Sequence, residues 1–89
     1  MLLLLDYYVW EWEDEKKRWN PYLAQTAVDL EKAKTFKEAH HSFSAFGRDY
    51  TVHMEELQQM NDDTEVERPV RREKSGNGVT GVSIGIYLP

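Results

Sequence analysis

The first part of the chain alternates between two kinds of side chain. Residues 8–13 read YVWEWE, so every second position is aromatic. This period of two predicts a β-strand with one aromatic face. A charged turn at residues 14–17 leads into a second short strand, residues 18–22, in which Pro21 fits only an edge strand or a strand end. Together the two strands predict a hairpin.

The next segment has the apolar spacing of a helix rather than a strand. Within residues 26–34, Leu30 and Ala33 fall on one face, and most of the other positions are polar. Thr26 is predicted to cap the N-terminus, with Asp29 three residues later in a capping-box role. The pattern therefore predicts one short amphipathic helix that packs one side on a sheet.

Alternation returns after the helix. Residues 42–46 and 49–54 predict two strands joined by a turn at Gly47. An acidic loop, residues 61–67, then leads to a last strand at residues 68–72, which begins near a proline. The order is two strands, a helix, two strands and a further strand. It predicts a compact α+β domain with a curved antiparallel sheet beside one helix.

The composition changes at both ends of this pattern. Residues 1–7 form an apolar leader that is far shorter than the roughly 20 residues of a membrane span. Residues 75–89 hold four of the five glycines and are expected to be a flexible tail or an extra strand. The domain proper is therefore assigned to residues 8–74.

Charge and cysteine content exclude several classes of protein. The 89 residues carry a formal net charge of -5, whereas a generic nucleic-acid binder is basic. Cysteine is absent from the sequence, which excludes a disulfide framework and a zinc site built on thiolates. Any anion bound by this chain must be held by individually placed donors, and no direct binding to DNA or to a membrane is expected.

The sequence offers little for catalysis or metal binding. It contains no phosphate-binding glycine loop, nucleophile elbow or zinc-protease motif. His40 and His41 are adjacent, so they point to different sides of a strand or helix and are unsuited to share a metal ion. The carboxylates around residues 11–15 are interpreted as a solvated turn. We therefore expect no enzymatic activity, no metal site and no cofactor.

The aromatic hairpin and the segments that follow it resemble the WWE domain family, from about residue 8 to residue 72. One departure is Glu65, because the family usually has glycine after the threonine. The motifs that carry the resemblance are Trp10-x-Trp12, Trp19-x-x-Tyr22, Leu30-Glu31-x-Ala33, Gly47-Arg48-x-Tyr50-x-Val52, Gln59-x-Asn61-x-x-Thr64 and Arg68-Pro69-Val70-Arg71-Arg72.

The resemblance implies a WWE-type fold, a half-barrel sheet with one short helix, and a set of ligand-binding positions. Several WWE domains bind poly(ADP-ribose) through its iso-ADP-ribose unit or a terminal ADP-ribose. By resemblance, Trp12 stacks on adenine, Arg68 binds phosphate, and Gln59 and Tyr50 form hydrogen bonds. A further pocket position falls at Trp19 or Asn20, and the spacing leaves both open.

Two functional interpretations follow from the resemblance. In the first, the chain is a non-catalytic reader of poly(ADP-ribose) or ADP-ribosylated proteins within an intracellular ubiquitin-ligase or ADP-ribosyltransferase-type protein, nuclear or cytoplasmic. In the second, it is a protein-interaction module that has a protein partner in the ubiquitin pathway and does not bind ADP-ribose. The residues that favour the first are Trp12, Tyr50, Gln59 and Arg68, whereas the acidic balance, Glu65 and the nearby carboxylates favour the second. The Trp12 ring itself serves either as a stacking surface or as ordinary core.

Overall fold

A computed structural model describes residues 8–74 of the chain. The leader assigned to residues 1–7 and the tail or extra strand assigned to residues 75–89 both lie outside the described residues. The described part comprises one helix and six strands: β1 (Tyr8–Glu13), β2 (Trp19–Pro21), α1 (Ala24–Thr35), β3 (His40–Ala45), β4 (Arg48–His53), β5 (Gln58–Asn61) and β6 (Glu67–Lys74).

The six strands form one curled antiparallel sheet in the order β2-β1-β6-β5-β4-β3. The predicted hairpins β1–β2 and β3–β4 are both present, and β6 joins the two halves by pairing with β1 on one side and β5 on the other. The α+β fold class and the half-barrel architecture predicted from the sequence are therefore confirmed.

Strand β5 was not predicted. Its sequence, QQMN, is almost entirely polar and lacks the apolar alternation that reveals a strand. Gln59 is nevertheless only 6% exposed, because its amide accepts a hydrogen bond inside the fold. A polar residue that is buried through a hydrogen-bond partner leaves no hydrophobic signal in the sequence.

The predicted helix is present, but the prediction of its N-terminus was wrong. It begins at Ala24, so Thr26 lies inside the first turn, and the N-cap residue Leu23 makes no side-chain capping bond. Asp29 instead accepts a hydrogen bond from Gln25, one turn earlier, at 3.0 Å. The predicted buried face is confirmed, since Leu30 and Ala33 are both buried.

The core lies between this helix face and the sheet. Its buried residues come from three strands, the helix and the loop that follows β2: Trp10, Tyr22, Leu30, Val52 and Val70. The indole N–H of Trp10 donates to the Glu31 carboxylate at 2.9 Å, so this large ring is buried without an unpaired donor. Arg72 donates to the same carboxylate at 2.7 and 2.9 Å. The hydrogen bonds from Arg72 lower the pKa of the Glu31 carboxyl group.

The turn between β1 and β2 is organised around Asp14. Its carboxylate accepts hydrogen bonds from the backbone N–H groups of Lys16 and Arg18 at 2.8 and 3.0 Å. It also accepts one from the Asn20 amide at 3.2 Å. Asp14 is only 7% exposed, so the prediction of a solvated turn was wrong at this position. The backbone N–H of Arg18, helped by the other donors, lowers the pKa of Asp14 from 3.8 to about 2.

This depressed pKa predicts how stability depends on pH. The ionised form of Asp14 stabilises the folded state above about pH 4, where the unfolded chain is ionised as well. The contribution is lost as the pH falls from about 4 to about 2, the folded-state value. The free energy of unfolding of Asp14→Asn should therefore lie below that of the wild type at pH 7, and the two should converge towards pH 2.

Urea unfolding of both proteins across this pH range measures the difference. Glu13→Gln is the control, because the Glu13 carboxylate receives no hydrogen bond within residues 8–74. A constant difference between wild type and Asp14→Asn from pH 7 to pH 2 would contradict the assigned role of the carboxylate.

Candidate functional site

A cavity of about 590 Å³ lies between the two halves of the sheet. Its walls come from the end of β1, from β2 and the loop after it, from the β3–β4 hairpin, and from β5 and β6. This volume is within the roughly 300–1,000 Å³ typical of small-ligand sites. A second hollow of about 410 Å³ lies around Lys34, Lys37 and Met54, away from this cavity.

The structure brings together five of the six site residues predicted from the sequence. The five that line the cavity are Trp12, Asn20, Tyr50, Gln59 and Arg68. They come from five different strands, so their convergence depends on the sheet order and on no short sequence motif. Whether they bind a ligand stays a prediction.

Trp19 is not brought into this group. Of Trp19 and Asn20, only Asn20 lines the cavity, and it lies directly opposite the cavity residue Trp12 in the β1–β2 register. The Trp19 ring lies against the guanidinium of Arg71, 4.2 Å from its carbon to the ring centroid. Arg71 also pairs with Glu11 at 2.8 Å. Trp19 therefore has a packing partner away from the cavity.

Gln59 is held in one orientation by Tyr22, which is not among the site residues predicted from the sequence. The Tyr22 hydroxyl donates to Gln59 Oε1 at 2.6 Å, and burial raises the pKa of Tyr22, so the phenol keeps its proton. The Gln59 Nε2 group has no hydrogen-bond partner within residues 8–74. It is thus a free donor in the cavity wall. The only sequence signal for Tyr22 is its spacing from Trp19.

Removing the Tyr22 hydroxyl should destabilise the fold and disorient Gln59 together. We expect Tyr22→Phe to lower the free energy of unfolding by about 1–3 kcal/mol, because a buried acceptor loses its donor. Chemical denaturation measures this change. Tyr50→Phe is the matched control, since the Tyr50 hydroxyl has no partner in the described part of the chain. An equal loss in both variants would show that the Tyr22–Gln59 bond contributes nothing specific.

Phe43 supports the aromatic side of the cavity. It lies directly opposite Tyr50 in the β3–β4 register, and the two rings stack with centroids 5.4 Å apart. Tyr22 meets the same ring edge-on, with centroids 5.8 Å apart. Phe43 was predicted only as an apolar strand residue, yet it also lines the cavity. This packing fixes the direction of the Tyr50 ring and leaves its hydroxyl available.

The structure separates the two neighbouring tryptophans of β1. Trp10 is 2% exposed and belongs to the core. Trp12 is partly buried, packs against the core and also lines the cavity. The two interpretations of Trp12, core residue and stacking surface, are therefore compatible in one side chain.

Arg68 is the one cationic side chain among the described residues that line the cavity. It lies opposite Gln59 in the β5–β6 register, and within residues 8–74 its guanidinium makes no hydrogen bond or ion pair. By contrast, Arg71 and Arg72 are each paired with a carboxylate. A half-buried guanidinium without a partner is suited to receive an anion, and its planar fork favours phosphate or carboxylate.

One acidic residue, Glu15, also lines the cavity. Within residues 8–74, no group of three or more His, Asp or Glu side chains could hold a metal ion. No helix in that range is long and apolar enough to cross a membrane. The cavity thus combines aromatic surface, free hydrogen-bond donors and a single unpaired cation.

Comparison with known proteins identifies the family to which this fold belongs. A family model described as the WWE domain matches residues 8–72. The chain belongs to the WWE domain family. The match covers nearly every described element of this WWE domain, from β1 into β6, and agrees with the resemblance carried by its sequence motifs.

A relative with a known name gives a wider context. This WWE domain is 33% identical over 67 residues to the E3 ubiquitin-protein ligase DTX1 of Xenopus laevis. The matched region covers 72% of this chain but only 10% of that relative. The similarity is thus to one binding-type module within a much longer protein.

The departure at Glu65 has a structural counterpart in this WWE domain. Glu65 has a φ of 63°, in the left-handed region that glycine adopts most readily. Its backbone N–H still closes the loop by donating to the carbonyl of Asn61 at 2.7 Å. The loop therefore keeps this conformation although the residue is not glycine.

Proposed function

We propose that this WWE domain is a non-catalytic binding module that recognises poly(ADP-ribose) through its iso-ADP-ribose unit or a terminal ADP-ribose. The observation that carries the proposal is the unpartnered guanidinium of Arg68 in one cavity with Trp12 and Gln59. These three side chains supply a donor for phosphate, a surface for a base and a donor for sugar hydroxyls.

Each part of an ADP-ribose unit has a matching group in the cavity. Adenine stacks on an aromatic face such as Trp12, and stacking contributes roughly 1–3 kcal/mol per base. The pyrophosphate accepts paired hydrogen bonds from Arg68. The ribose hydroxyls accept from Gln59 Nε2 and exchange hydrogen bonds with the Tyr50 hydroxyl. Asn20 contributes its carbonyl, because its amide N–H group already donates to Asp14.

The charge distribution supports recognition by placed groups rather than by bulk attraction. The whole chain carries a net charge of -5, and among residues 8–74 the charged side chains that line the cavity are one arginine and one glutamate. A protein of this kind gains few released counterions when it binds a polyanion. Binding should therefore depend on the shape and functional groups of the ADP-ribose unit.

The relative named as a ubiquitin ligase supports a cellular setting for the proposal. We infer that the module belongs to an intracellular ubiquitin-ligase or ADP-ribosyltransferase-type protein, nuclear or cytoplasmic, and directs it to ADP-ribosylated partners. The similarity to one ligase over a single module favours the ligase setting.

Calorimetric titration tests the proposal. Poly(ADP-ribose), iso-ADP-ribose and ADP-ribose are titrated into the chain, and single-stranded DNA of equal charge is the control polyanion. We expect binding of the polymer and of at least one monomer, and no binding of DNA. Equal binding of DNA and the polymer would show that the protein senses charge alone and would overturn the proposal.

The second candidate function is a protein-interaction module without ADP-ribose binding. The observation that favours it is Glu15, an acidic residue that lines the same cavity as Arg68. A carboxylate close to bound phosphate is repulsive. If no ADP-ribose ligand binds in the titration, this second function becomes the preferred one.

A further inference from the structure

The tip of the β3–β4 hairpin holds a large aromatic residue in an uncommon backbone conformation. Ala45 pairs with Arg48, which leaves Phe46 and Gly47 as the turn. Their φ angles are 55° and 75°. Positive φ at both central residues is the pattern of a type I′ turn, in which asparagine followed by glycine is preferred. A bulky residue in the left-handed region is rare and strained.

Phe46 contributes little to the folded core, so core packing does not offset this strain. Its side chain is 74% exposed, and it is absent from the cluster of core residues and from those packed against it. The same side chain lines the mouth of the cavity, where Val66 from the β5–β6 loop is also exposed. A strained and exposed aromatic residue at the mouth of a cavity points to a functional contact.

The position of Phe46 in the sheet complements that of Trp12. Trp12 enters the cavity from β1, whereas Phe46 enters it from the end of β3, and the strands β6, β5 and β4 lie between them. A planar ring bound in the cavity therefore meets aromatic surface from two separate parts of the sheet. Aromatic pairs gain from either offset stacking or edge-to-face contact, so both orientations are usable.

We propose that Phe46 is a specificity-determining residue that packs on the adenine ring of the bound ligand, opposite Trp12. This inference rests on the proposed function and deepens it. Phe46 selects ligands that carry an aromatic base, whereas Arg68 recognises the anion that ADP-ribose shares with any sugar phosphate. The hairpin tip thus distinguishes a nucleotide unit from a simple phosphorylated sugar.

Calorimetry with ADP-ribose and iso-ADP-ribose tests the contact, using the variants Phe46→Ala and Phe46→Trp. We expect Phe46→Ala to lose about five- to 150-fold in affinity for the ligand that the wild type binds, the range for loss of one stacked aromatic group. Phe46→Trp should bind about as well as the wild type. Phe36→Ala is the matched control, because Phe36 is 72% exposed and lies outside the cavity lining.

A third variant separates loss of contact from loss of fold. Phe46→Asn places a residue that favours positive φ in the turn, so its melting temperature should equal or exceed that of the wild type while its affinity falls. Nuclear Overhauser contacts between the Phe46 ring and adenine protons give a direct readout. Wild-type affinity in Phe46→Ala or Phe46→Asn would overturn the inference and leave the proposed function standing. Failure of the wild type to bind either ligand would instead overturn the proposed function, and this inference with it.

Discussion

Replacing Arg68 by alanine is expected to weaken binding of ADP-ribose ligands by about 10- to 150-fold. The expectation follows from about 1.5–3 kcal/mol for hydrogen bonds to a charged group. Because the Arg68 guanidinium has no partner within residues 8–74, its removal breaks no ion pair in the described structure. The free energy of unfolding should therefore change little, and calorimetry should report the loss as reduced affinity alone.

Two further variants show whether geometry or charge is responsible. Arg68→Lys should recover only part of the affinity, because an ammonium group cannot form the planar fork. Arg48→Ala removes an exposed arginine on β4 that does not line the cavity, and it should bind like the wild type. Full recovery by lysine would mean that the site senses charge only. An equal loss in Arg48→Ala would mean that the effect is not specific to the cavity.

Replacing Leu30 by alanine is expected to have the largest effect on stability. Leu30 is fully buried at the contact between α1 and the sheet. Truncating a buried leucine to alanine typically costs about 2–5 kcal/mol, because apolar contacts are lost and a cavity remains. In a domain of this size, that cost corresponds to a fall in melting temperature of at least about 8 °C.

Val28→Ala on the same helix is the control for this experiment. Val28 is 48% exposed, so its truncation should change the free energy of unfolding by about 0.5 kcal/mol or less. Thermal and urea unfolding of both variants measure the difference. A similar loss in the two variants would show that the buried face of the helix does not anchor the fold.

An element of the fold could be predicted when its own stretch of sequence carries a periodic pattern, and not when it depends on a distant contact. Strand β1 and the β3–β4 hairpin were predicted because their alternation is a local property of the sequence. Strand β5 was missed because Gln59 is buried by a hydrogen bond from Tyr22, a residue 37 positions away. The start of the helix was misplaced because Thr26 has a capping side chain, but the first turn forms upstream of it.

The candidate site likewise combines features that the sequence predicts with features that depend on the three-dimensional arrangement. The predicted site residues came from the family resemblance, and the β1–β2 register, which pairs Asn20 with Trp12, explains why Asn20 rather than Trp19 lines the cavity. The unpaired state of Arg68 could not be predicted from the sequence, because acidic residues such as Glu67 and Asp63 are close to it in the chain. Only the three-dimensional arrangement shows that no ion pair forms between them in the described structure.

The burial of Asp14 and the position of Phe46 at the cavity were not predicted, for a related reason. Asp14 belongs to a run of charged residues, and its buried hydrogen bonds depend on the conformation of the turn. In the sequence, Phe46 is one more apolar residue next to a glycine. Its position at the cavity mouth depends on the antiparallel pairing that brings the hairpin tip towards the other half of the sheet.

Binding of an ADP-ribose unit in the cavity of this WWE domain can be observed residue by residue in a titration followed by nuclear magnetic resonance. Iso-ADP-ribose and ADP-ribose are added separately to the ¹⁵N-labelled chain up to millimolar concentration. We expect the largest shifts at the cavity residues Trp12, Asn20, Tyr50, Gln59 and Arg68, while Lys34, Lys37 and Met54 around the second hollow remain unchanged. The absence of shifts at the cavity residues with either ligand, or shifts centred on the second hollow, would contradict binding in the cavity.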